Sequence, residues 1–579
     1  MIEEQYQLWS ENPYFDVDIR RELLEIKDLK EIEDRFYTDL EFGTGGLRGV
    51  LAAGRNRMNK YVVRKVTQGL ADFISEHGPQ GKERGVVIAY DSRRLSPEFA
   101  LEVALVLAHN GIKAYLFESL RPTPELSFAV RYLHTLAGIV ITASHNPKEY
   151  NGYKVYWEDG GQVPPEQADR IFAKIKERED WLGIEPLSEE EARRQGLLVM
   201  IGEEIDRAYL KRVQALAIHP ELSKKAGTKL KIVYTPLHGA GNHLVRKALA
   251  QAGFSSVFVV PEQEQPDPEF TTVPFPNPEI PSTFDLARGY AVDQGADLII
   301  ATDPDADRLG IAVRDASGSY IQLTGNQAGV LLEHYILGQK QTLGTLPAKA
   351  TVIKTIASTD LADEVARSFD VKVENVLTGF KFIAEKVNEM EEEGWGEFQF
   401  GFEESYGYLA GNFVRDKDGI IAAVLLAEAA LYYKIKGGRT LIEVIEEIYR
   451  QFGYYIEDQK SFKLEGIEGK TEMAKIMHHL RTTEISAIGG IPVERVDDYD
   501  QRFGKRITNG EVYVLTLPRS DVLRFSFHGG GFVMARPSGT EPKIKFYFSI
   551  RGDNKEGLAE TLQQVKDDIL GRVQEVLAT

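Results

Sequence analysis

The chain has 579 residues, of which 43% are apolar, 27% are charged and none is cysteine. Its 69 basic and 88 acidic residues leave a net charge of −19, which argues against general binding to nucleic acid. The lack of cysteine excludes disulfides, thiol catalysis and cysteine-ligated zinc, so any metal must be bound by oxygen atoms or by histidine.

The N-terminal residues and the longest apolar stretch predict neither export nor membrane insertion. The opening MIEEQYQLWSENPYF has neither the basic region nor the apolar core of a secretory signal. The apolar stretch from Ile420 to Tyr433 is too short to cross a bilayer and contains Glu428, which predicts a buried helix. We therefore expect a soluble, cytoplasmic protein without membrane contact, and the sequence indicates no obligate protein partner.

Several segments repeat the order of an apolar β-rich run, a polar loop, a helical pattern and a second apolar run. This order occurs from Gly85 to Phe117 and again from Leu230 to Val260. Strands that alternate with helices of this length predict α/β units with mainly parallel sheets. Ligands of such sheets bind where the strands end, so the loops that follow the apolar runs are the candidate sites.

A chain of this length exceeds what one domain needs, and we predict four domains. The predicted domains cover residues 1–205, 206–324, 325–455 and 456–579. The proline-rich segment 261–283 is predicted to be an exposed loop of the second domain. Within the last domain, the segment GGGFVMARPSGTEPKIKFYFSIRG predicts a strand, a loop and a strand, and an amphipathic helix follows it.

One serine stands at the end of an apolar run. The run in GIVITASHNPKEYNGYKVY stops at Ser144, and His145 and the turn-forming Asn146-Pro147 follow directly. A helix cap or an ordinary turn would explain this hydroxyl if Ser144 were considered alone.

Three aspartates alternate in the loop after another apolar run, ADLIIAT. Asp303, Asp305 and Asp307 would repel one another unless a hard cation accepts them, and Mg²⁺ suits such ligands. An EF-hand is excluded because Arg308 and Arg314 occupy the positions that need Gly and Glu. Three carboxylates leave coordination positions open, one of which a phosphate oxygen could take. The alternative is a solvated acidic turn.

Two further loops have side chains suited to a sugar phosphate. The loop from Arg536 to Lys543 offers a guanidinium, two hydroxyls and a glycine, which could surround a phosphate or form a polar turn. The segment with Glu403, Glu404 and Ser405 suits sugar hydroxyls, and Lys417 follows in a charged loop. Acids near Lys417 should raise its pKa, which argues against Lys417 as a general base because a lysine with a raised pKa stays protonated. The alternative for the segment with Glu403 and for the loop with Lys417 is a solvated charged loop.

Three weaker motifs complete the set. The glycine-rich string from Gly43 to Gly49 could approach an anion, but such strings are common. His238 is predicted to be a structural hydrogen-bonding residue. The string from Thr378 to Lys381 is predicted to be a turn unless other evidence supports it.

Together and in this order, TASHNP, DPDADR, GFEES and RPSGTEPK resemble the four signature loops of the α-D-phosphohexomutase family. The strings EFGTGGLRG, TPLHGAG, TGFKF and RDKDG also fall where that family has them. The resemblance covers essentially the whole chain and is strongest to the bacterial α-phosphoglucomutase branch. It implies four domains around a central cleft: three similar α/β domains with mixed sheets and a smaller C-terminal α+β domain.

The resemblance also implies roles for individual residues. Ser144 would carry the phosphoryl group, and Asp303, Asp305 and Asp307 would bind Mg²⁺ together with an oxygen of phosphorylated Ser144. The positions that would surround the transferring group are Arg48, His145, Lys154, Arg308 and Lys417. The positions that would bind the substrate are Glu403 and Ser405 at the sugar hydroxyls, Arg536, Ser538, Gly539 and Thr540 at the non-reacting phosphate, and Thr378, Gly379 and Lys381.

The implied activity is the interconversion of glucose 1-phosphate and glucose 6-phosphate, with glucose 1,6-bisphosphate as an intermediate that must reorient. A mannose or pentose phosphate is the alternative substrate, because Phe402 stands between Gly401 and Glu403 where the family often has Gly-Glu-Glu-Ser. Two other functions remain. Asp303 could be the nucleophile of a sugar phosphatase related to the haloacid dehalogenases, or the chain could bind sugar phosphates without turnover.

Overall fold

The structure is a computed structural model that describes residues 2–40, 46–177, 181–464, 466–538 and 543–578. The start of the glycine-rich string and the predicted site residues Gly539 and Thr540 lie outside the described residues. The chain forms two compact units. The first comprises Met1–Ala328, Ala384–Gly394 and Ser405–Thr440, and the second comprises Gly329–Ile383, Trp395–Glu404 and Leu441–Thr579.

The first part of the first unit is built on a mixed sheet. Its elements are α1 (Ile2–Glu11), α2 (Val17–Glu25), α3 (Leu29–Phe36), β1 (Gly46–Val50), α4 (Lys60–Ser75), α5 (Gly78–Arg84), β2 (Val86–Tyr90), α6 (Ser96–His109), β3 (Ala114–Phe117), α7 (Thr123–Leu133), β4 (Ala137–Ile141), β5 (Tyr150–Trp157), α8 (Pro165–Glu177), α9 (Glu189–Arg194) and β6 (Leu198–Ile201). The strand order is β1-β5-β4-β2-β3-β6. Strands β4, β2, β3 and β6 are parallel, and β5 is antiparallel to both β1 and β4. Strands β2 and β4 are buried along their whole length, which explains their continuous apolar runs.

A second mixed sheet follows in the same unit. Its elements are α10 (Glu203–Gln214), α11 (Pro220–Ala226), β7 (Ile232–Thr235), α12 (Gly241–Ala252), β8 (Val257–Val259), α13 (Pro261–Glu264), α14 (Asp285–Gln294), β9 (Leu298–Thr302), β10 (Leu309–Arg314) and β11 (Tyr320–Gln322). The order is β11-β10-β9-β7-β8, and β10 is antiparallel to both of its neighbours. Both predicted strand–helix–strand units are confirmed. Both sheets are mixed, as the resemblance implies, because antiparallel strands extend the parallel core of each.

The proline-rich segment corrects one expectation. Within residues 261–283, Phe270 and Val273 are only 2% and 5% exposed and pack with Leu237 in a small apolar cluster. Much of the segment is exposed as predicted, but it is not exposed throughout, because these apolar side chains are buried.

The next elements along the chain include the predicted buried helix. They are α15 (Gly325–Thr342), β12 (Ala350–Thr355), α16 (Leu361–Ser368), β13 (Lys372–Val376), α17 (Phe380–Glu393), β14 (Glu397–Glu403), β15 (Gly407–Ala410), α18 (Gly419–Gly437) and α19 (Leu441–Phe452). Strands β13, β12 and β14 pair in parallel in that order. Helix α18 holds the apolar stretch and is buried over most of its length, as predicted. Among the described residues, the structure contains no helix that is long and apolar enough to cross a membrane.

The C-terminal part of the second unit is an antiparallel sheet with helices on it. Its elements are β16 (Tyr454–Lys463), α20 (Gly466–Thr482), β17 (Ala487–Ile488), β18 (Ile491–Asp498), β19 (Phe503–Arg506), β20 (Val512–Val514), β21 (Leu523–Phe527), β22 (Gly531–Pro537), β23 (Lys543–Gly552) and α21 (Leu558–Leu577). The main order is β16-β23-β22-β21-β18-β19-β20. Helices α20 and α21 bury their apolar residues in one core with this sheet, as an α+β domain requires. The four domain boundaries stay a prediction.

Candidate functional site

Ser144 follows β4 in a strained backbone conformation. Its φ is +53°, in the left-handed region that residues other than glycine rarely adopt, and its side chain is buried. The Ser144 amide donates to Thr142 Oγ1 at 2.7 Å, while its hydroxyl donates to Asp303 Oδ2 at 2.8 Å and lies 3.1 Å from His145 Nδ1. The hydroxyl caps no helix, since the next regular element is β5. It points at the acidic loop instead.

The three aspartates follow β9 and are buried together. Asp303 and Asp305 are 0% exposed and Asp307 is 2% exposed, so the alternative of a solvated acidic turn is wrong. One carboxylate oxygen of each lies within 4.8 Å of the others. The Oδ1 atoms of Asp305 and Asp307 are buried and have no hydrogen-bond partner among the described residues. An all-oxygen donor set with unsatisfied carboxylate oxygens fits a hard divalent cation such as Mg²⁺.

The Oδ2 atoms of Asp305 and Asp307 contact neighbouring donors. Lys154 Nζ lies 2.7 Å from Asp305 Oδ2 and 3.2 Å from Asp307 Oδ2, and Lys417 Nζ lies 3.3 Å from Asp307 Oδ2. The Thr123 hydroxyl, at the start of α7, donates to Asp305 Oδ2 at 2.9 Å. These contacts fix both carboxylates and leave their Oδ1 atoms available to a ligand.

The pKa values of Asp303 and Asp307 are shifted in opposite directions. Burial, together with the charges of Asp305 and Asp307, raises the pKa of Asp303 well above its usual value. Burial also opposes ionisation of Asp307, but the Lys154 and Lys417 ammonium groups outweigh it and lower the pKa of Asp307. The pKa of Lys154 is raised although burial lowers it, because Asp305 and Asp307 face this amine. The lysine therefore stays charged.

His145 is the side chain of the site that is best suited to accept a proton. Burial lowers the pKa of His145 well below its usual value, and the positive charges of Arg308 and Arg48 lower it further. The imidazole is thus neutral near pH 7, and it lies beside the Ser144 hydroxyl. A neutral imidazole at this place can act as a general base.

The two arginines reach the site from a strand and from the aspartate loop. Arg48, on β1, donates to Asn146 Oδ1 at 2.9 Å, next to the serine loop. The Arg308 amide donates to Asp303 Oδ1 at 3.0 Å, and its guanidinium pairs with Glu279. The first unit thus brings together Ser144, the aspartate triad and the predicted residues Arg48, His145, Lys154, Arg308 and Lys417.

The buried pair of Asp418 and Tyr209, next to Lys417, was not predicted from the sequence. Asp418 begins α18, where its Oδ1 accepts from the amides of Ile420 and Ile421 at 2.9 and 2.8 Å. The Tyr209 hydroxyl donates to Asp418 Oδ2 at 2.7 Å. Burial raises the pKa of Asp418 to about 6. Asp418 precedes a helical run and could have been recognised as a helix cap, whereas nothing near Tyr209 in the sequence predicted its partner.

The second unit contains most of the predicted substrate-binding residues. Glu403 ends β14 and is buried. Thr355 Oγ1 donates to Glu404 Oε2 at 3.0 Å, and burial, with the charge of Glu403, raises the pKa of Glu404 to about 7. Phe402 is fully buried, and a Cβ on Gly329 would lie 2.4 Å from its ring. The phenylalanine that departs from the family pattern therefore fills the interior rather than a ligand site.

The phosphate-loop arginine lies close to these acids within the second unit. Arg536 on β22 pairs with Lys545 of β23, and the Ser538 amide donates to the Lys543 carbonyl at 2.7 Å. Burial and the charge of Glu404 raise the pKa of Tyr547, while a hydrogen bond with Arg536 opposes this shift. Strands β22 and β14 thus bring basic and acidic groups together.

Three predicted residues lie at or near the start of α17, and one lies in the other unit. Thr378 and Lys381 are mostly buried, and Gly379 has a φ of +117°, which requires glycine. Ser405 belongs to the first unit. The roles of these four residues stay predictions. His238 is structural, as predicted, because Nδ1 lies 3.0 Å from the Gln265 carbonyl and Nε2 lies 2.8 Å from Thr272 Oγ1.

Comparisons with known proteins show the family of the chain. Models of the phosphoglucomutase/phosphomannomutase α/β/α domains I, II and III match residues 39–181, 207–318 and 324–452. The phosphoglucomutase of Staphylococcus epidermidis strain ATCC 12228 is 40% identical over 533 residues, which cover 92% of this chain and 94% of that protein. The phosphoglucomutase of Staphylococcus aureus strain MSSA476 is 38% identical over 535 residues, with coverage of 92% and 94%.

Solved structures share the fold at lower sequence identity. A putative phosphomannomutase from Thermus thermophilus has a TM-score of 0.68 and 22% identity, and the match covers 92% of this chain and 99% of that one. The exocytosis-sensitive phosphoprotein parafusin of Paramecium, titled a phosphoglucomutase, has a TM-score of 0.67 and 19% identity, with coverage of 93% and 95%.

Proposed function

Because the chain belongs to the phosphoglucomutase/phosphomannomutase family, we propose that it is a phosphoglucomutase that interconverts glucose 1-phosphate and glucose 6-phosphate. The observation that carries this proposal is the 2.8 Å hydrogen bond from the Ser144 hydroxyl to Asp303, beside the buried triad. It is supported by curated phosphoglucomutases that are about 40% identical over 92% of the chain.

The reaction consists of two phosphoryl transfers at one serine. Phosphorylated Ser144 gives its phosphoryl group to the 6-hydroxyl of glucose 1-phosphate, which forms glucose 1,6-bisphosphate and leaves the serine free. The bisphosphate then reorients, and its 1-phosphoryl group passes to Ser144 Oγ. Glucose 6-phosphate leaves, and the phosphoserine is restored.

The residues around Ser144 supply what phosphoryl transfer requires. An attacking hydroxyl must lose its proton and the departing oxygen must gain one; the neutral His145 imidazole beside Ser144 can accept the first proton and return it to the departing oxygen. The charged Lys154 and Lys417 amines would balance charge on the phosphoryl oxygens. When bound, Mg²⁺ withdraws electron density from these oxygens, and Asp303, Asp305 and Asp307 would hold it.

The predicted substrate-binding residues would position the sugar phosphate. The Glu403 carboxylate would accept hydrogen bonds from sugar hydroxyls, and Arg536 with Ser538 would bind the non-reacting phosphate. Since Ser144 is a single site, these groups must accept the sugar in two orientations that exchange the reacting phosphate.

The test is turnover of a Ser144→Ala variant in a coupled assay for glucose 6-phosphate. We expect kcat to fall by at least about a thousandfold, as it does when other enzymes lose their nucleophile. Ser317→Ala, which removes an exposed serine hydroxyl, is the matched control and should keep wild-type kcat. A correctly folded Ser144→Ala protein with a sizeable fraction of wild-type turnover would contradict the proposal. The wild type should also prefer glucose 1-phosphate over the 1-phosphates of mannose, ribose and deoxyribose.

A further inference from the structure

A buried arginine lies directly behind the serine loop. Arg93 is in the segment between β2 and α6, and its side chain is fully buried. One terminal nitrogen donates to the carbonyls of Pro147 and Tyr150 at 2.8 and 3.1 Å. The other donates to the carbonyls of Ser144 and Asn146. A single guanidinium therefore satisfies four carbonyls of the segment that starts at Ser144.

Asp91 orients this guanidinium and holds the serine from its other side. Asp91 Oδ2 lies 3.2 Å from Arg93 Nε and accepts from the Thr142 hydroxyl at 2.6 Å. The Thr142 oxygen in turn accepts the Ser144 amide at 2.7 Å. The Phe270 ring covers the guanidinium, with its centroid 5.0 Å from Cζ. Both the amide and the carbonyl of Ser144 are thus tied to the Asp91–Arg93 pair.

The conformation of Ser144 explains why such a support is needed. A serine at φ +53° adopts a sparsely populated conformation, which persists only when surrounding contacts impose it. Without the guanidinium, each of these four carbonyls would lose one donor, although the Pro147 carbonyl would keep the Tyr150 amide, and the loop would relax towards other conformations. The Ser144 hydroxyl would then no longer point at Asp303.

We propose that Arg93, oriented by Asp91, is a positioning residue for phosphoryl transfer, because it imposes the backbone conformation that directs the Ser144 hydroxyl at the metal-binding triad. This inference rests on the proposed function of Ser144 as the phosphoryl carrier. Arg93 donates to no triad carboxylate in the described structure, but its charge acts on Asp303, Asp305 and His145. A variant that keeps the charge and removes the planar fork therefore isolates the effect that passes through the serine loop. Such a variant should have a lower kcat, while the binding of sugar phosphate and Mg²⁺ stays nearly unchanged.

The main test replaces Arg93 with lysine. An ammonium keeps the charge but cannot span four carbonyls with a planar fork. We expect kcat to fall about 100-fold, the effect of displacing a reacting group by about 1 Å. The KM for glucose 1-phosphate and the affinity for Mg²⁺ should stay within about twofold, since the substrate loops and the triad are intact. Measurements are made well below the melting temperature, on folded protein.

Arg94→Lys is the matched control. The Arg94 side chain is 43% exposed and pairs with Glu269 on the surface, so this variant should keep wild-type kcat. If Arg93→Lys fails to fold, Phe270→Leu replaces it as the test. That variant removes the ring over the guanidinium and keeps an apolar side chain in the cluster with Leu237 and Val273, and we expect a loss in kcat of about fivefold at constant KM.

The possible results separate this inference from the proposed function. If Ser144→Ala is inactive while Arg93→Lys, or Phe270→Leu in its place, keeps wild-type kcat, the inference is wrong and the proposed function stands. A lower melting temperature with unchanged kcat of the folded protein also overturns it, because that is the behaviour of a purely structural residue. If Ser144→Ala remains active, the proposed function fails first and this inference fails with it.

Discussion

Replacing Asp418 with asparagine should stabilise the protein at neutral and alkaline pH. The carboxylate is fully buried at the start of α18, next to Lys417, and accepts hydrogen bonds from two backbone amides and from Tyr209. Burial raises its pKa from 3.8 to about 6. Asparagine is about as good a helix cap as aspartate, so the substitution removes the charge and keeps the cap.

The sign and size of the effect follow from this pKa. An acid with a raised pKa in the folded state binds its proton more tightly there than in the unfolded chain. Its stabilising contribution is fully present below about pH 4 and is lost as the pH rises through about 6. A shift from 3.8 to about 6 corresponds to about 3 kcal/mol at pH 8 and to about half of that at pH 5. The Asp418→Asn variant does not lose this free energy, because asparagine does not ionise.

Urea unfolding at pH 5 and pH 8, followed by tryptophan fluorescence, would measure this difference. The gain in unfolding free energy of Asp418→Asn over the wild type should be larger at pH 8 by about 1.5 kcal/mol. Asp293→Asn, on the exposed side of α14, is the control and should show no such pH dependence. An equal gain in the unfolding free energy of Asp418→Asn over the wild type at pH 5 and pH 8 would refute the assignment of a raised pKa to Asp418.

Three further predictions concern the metal and substrate loops. Chelation with EDTA should abolish turnover, and added Mg²⁺ should restore it. Calorimetry should show that Asp305→Asn binds Mg²⁺ at least about tenfold more weakly than the wild type, whereas the control Asp315→Asn should bind it unchanged. Lys154→Met should destabilise the metal-free protein by about 3–5 kcal/mol, because a buried carboxylate loses its cation. Added Mg²⁺ should recover part of the loss in melting temperature. Glu403→Gln should raise the KM for glucose 1-phosphate by about tenfold or more, with a smaller effect on kcat; unchanged KM would contradict its contact with the sugar.

The sequence predicted the chemistry of the site better than its supports. Ser144 and Asp303 are 159 residues apart and lie 2.8 Å apart at their nearest side-chain oxygens. This contact was predictable because both follow apolar runs, and because a cation held by three carboxylates keeps an open coordination position that an oxygen of phosphorylated Ser144 could take. The antiparallel extensions of the two mixed sheets did not follow from local patterns, since strand direction depends on contacts between distant segments.

The supports could not be predicted because their local sequence has no distinguishing feature. Arg93 and Arg94 stand side by side in the loop DSRR, yet the first side chain is fully buried and the second is 43% exposed. Only tertiary packing against the serine loop and Phe270 makes them different. Thr123 likewise looks like part of a helix start, and its contact with Asp305 appears only in three dimensions.

The most direct test of the account is to label the protein with glucose 1,6-bisphosphate that carries ³²P. We expect about one acid-stable phosphate per chain, on the peptide that contains Ser144, and full transfer of this label to hexose phosphate when unlabelled glucose 1-phosphate is added. A chain that takes up no label, or that carries it as an alkali-labile acyl phosphate on Asp303, would contradict the phosphoserine mechanism.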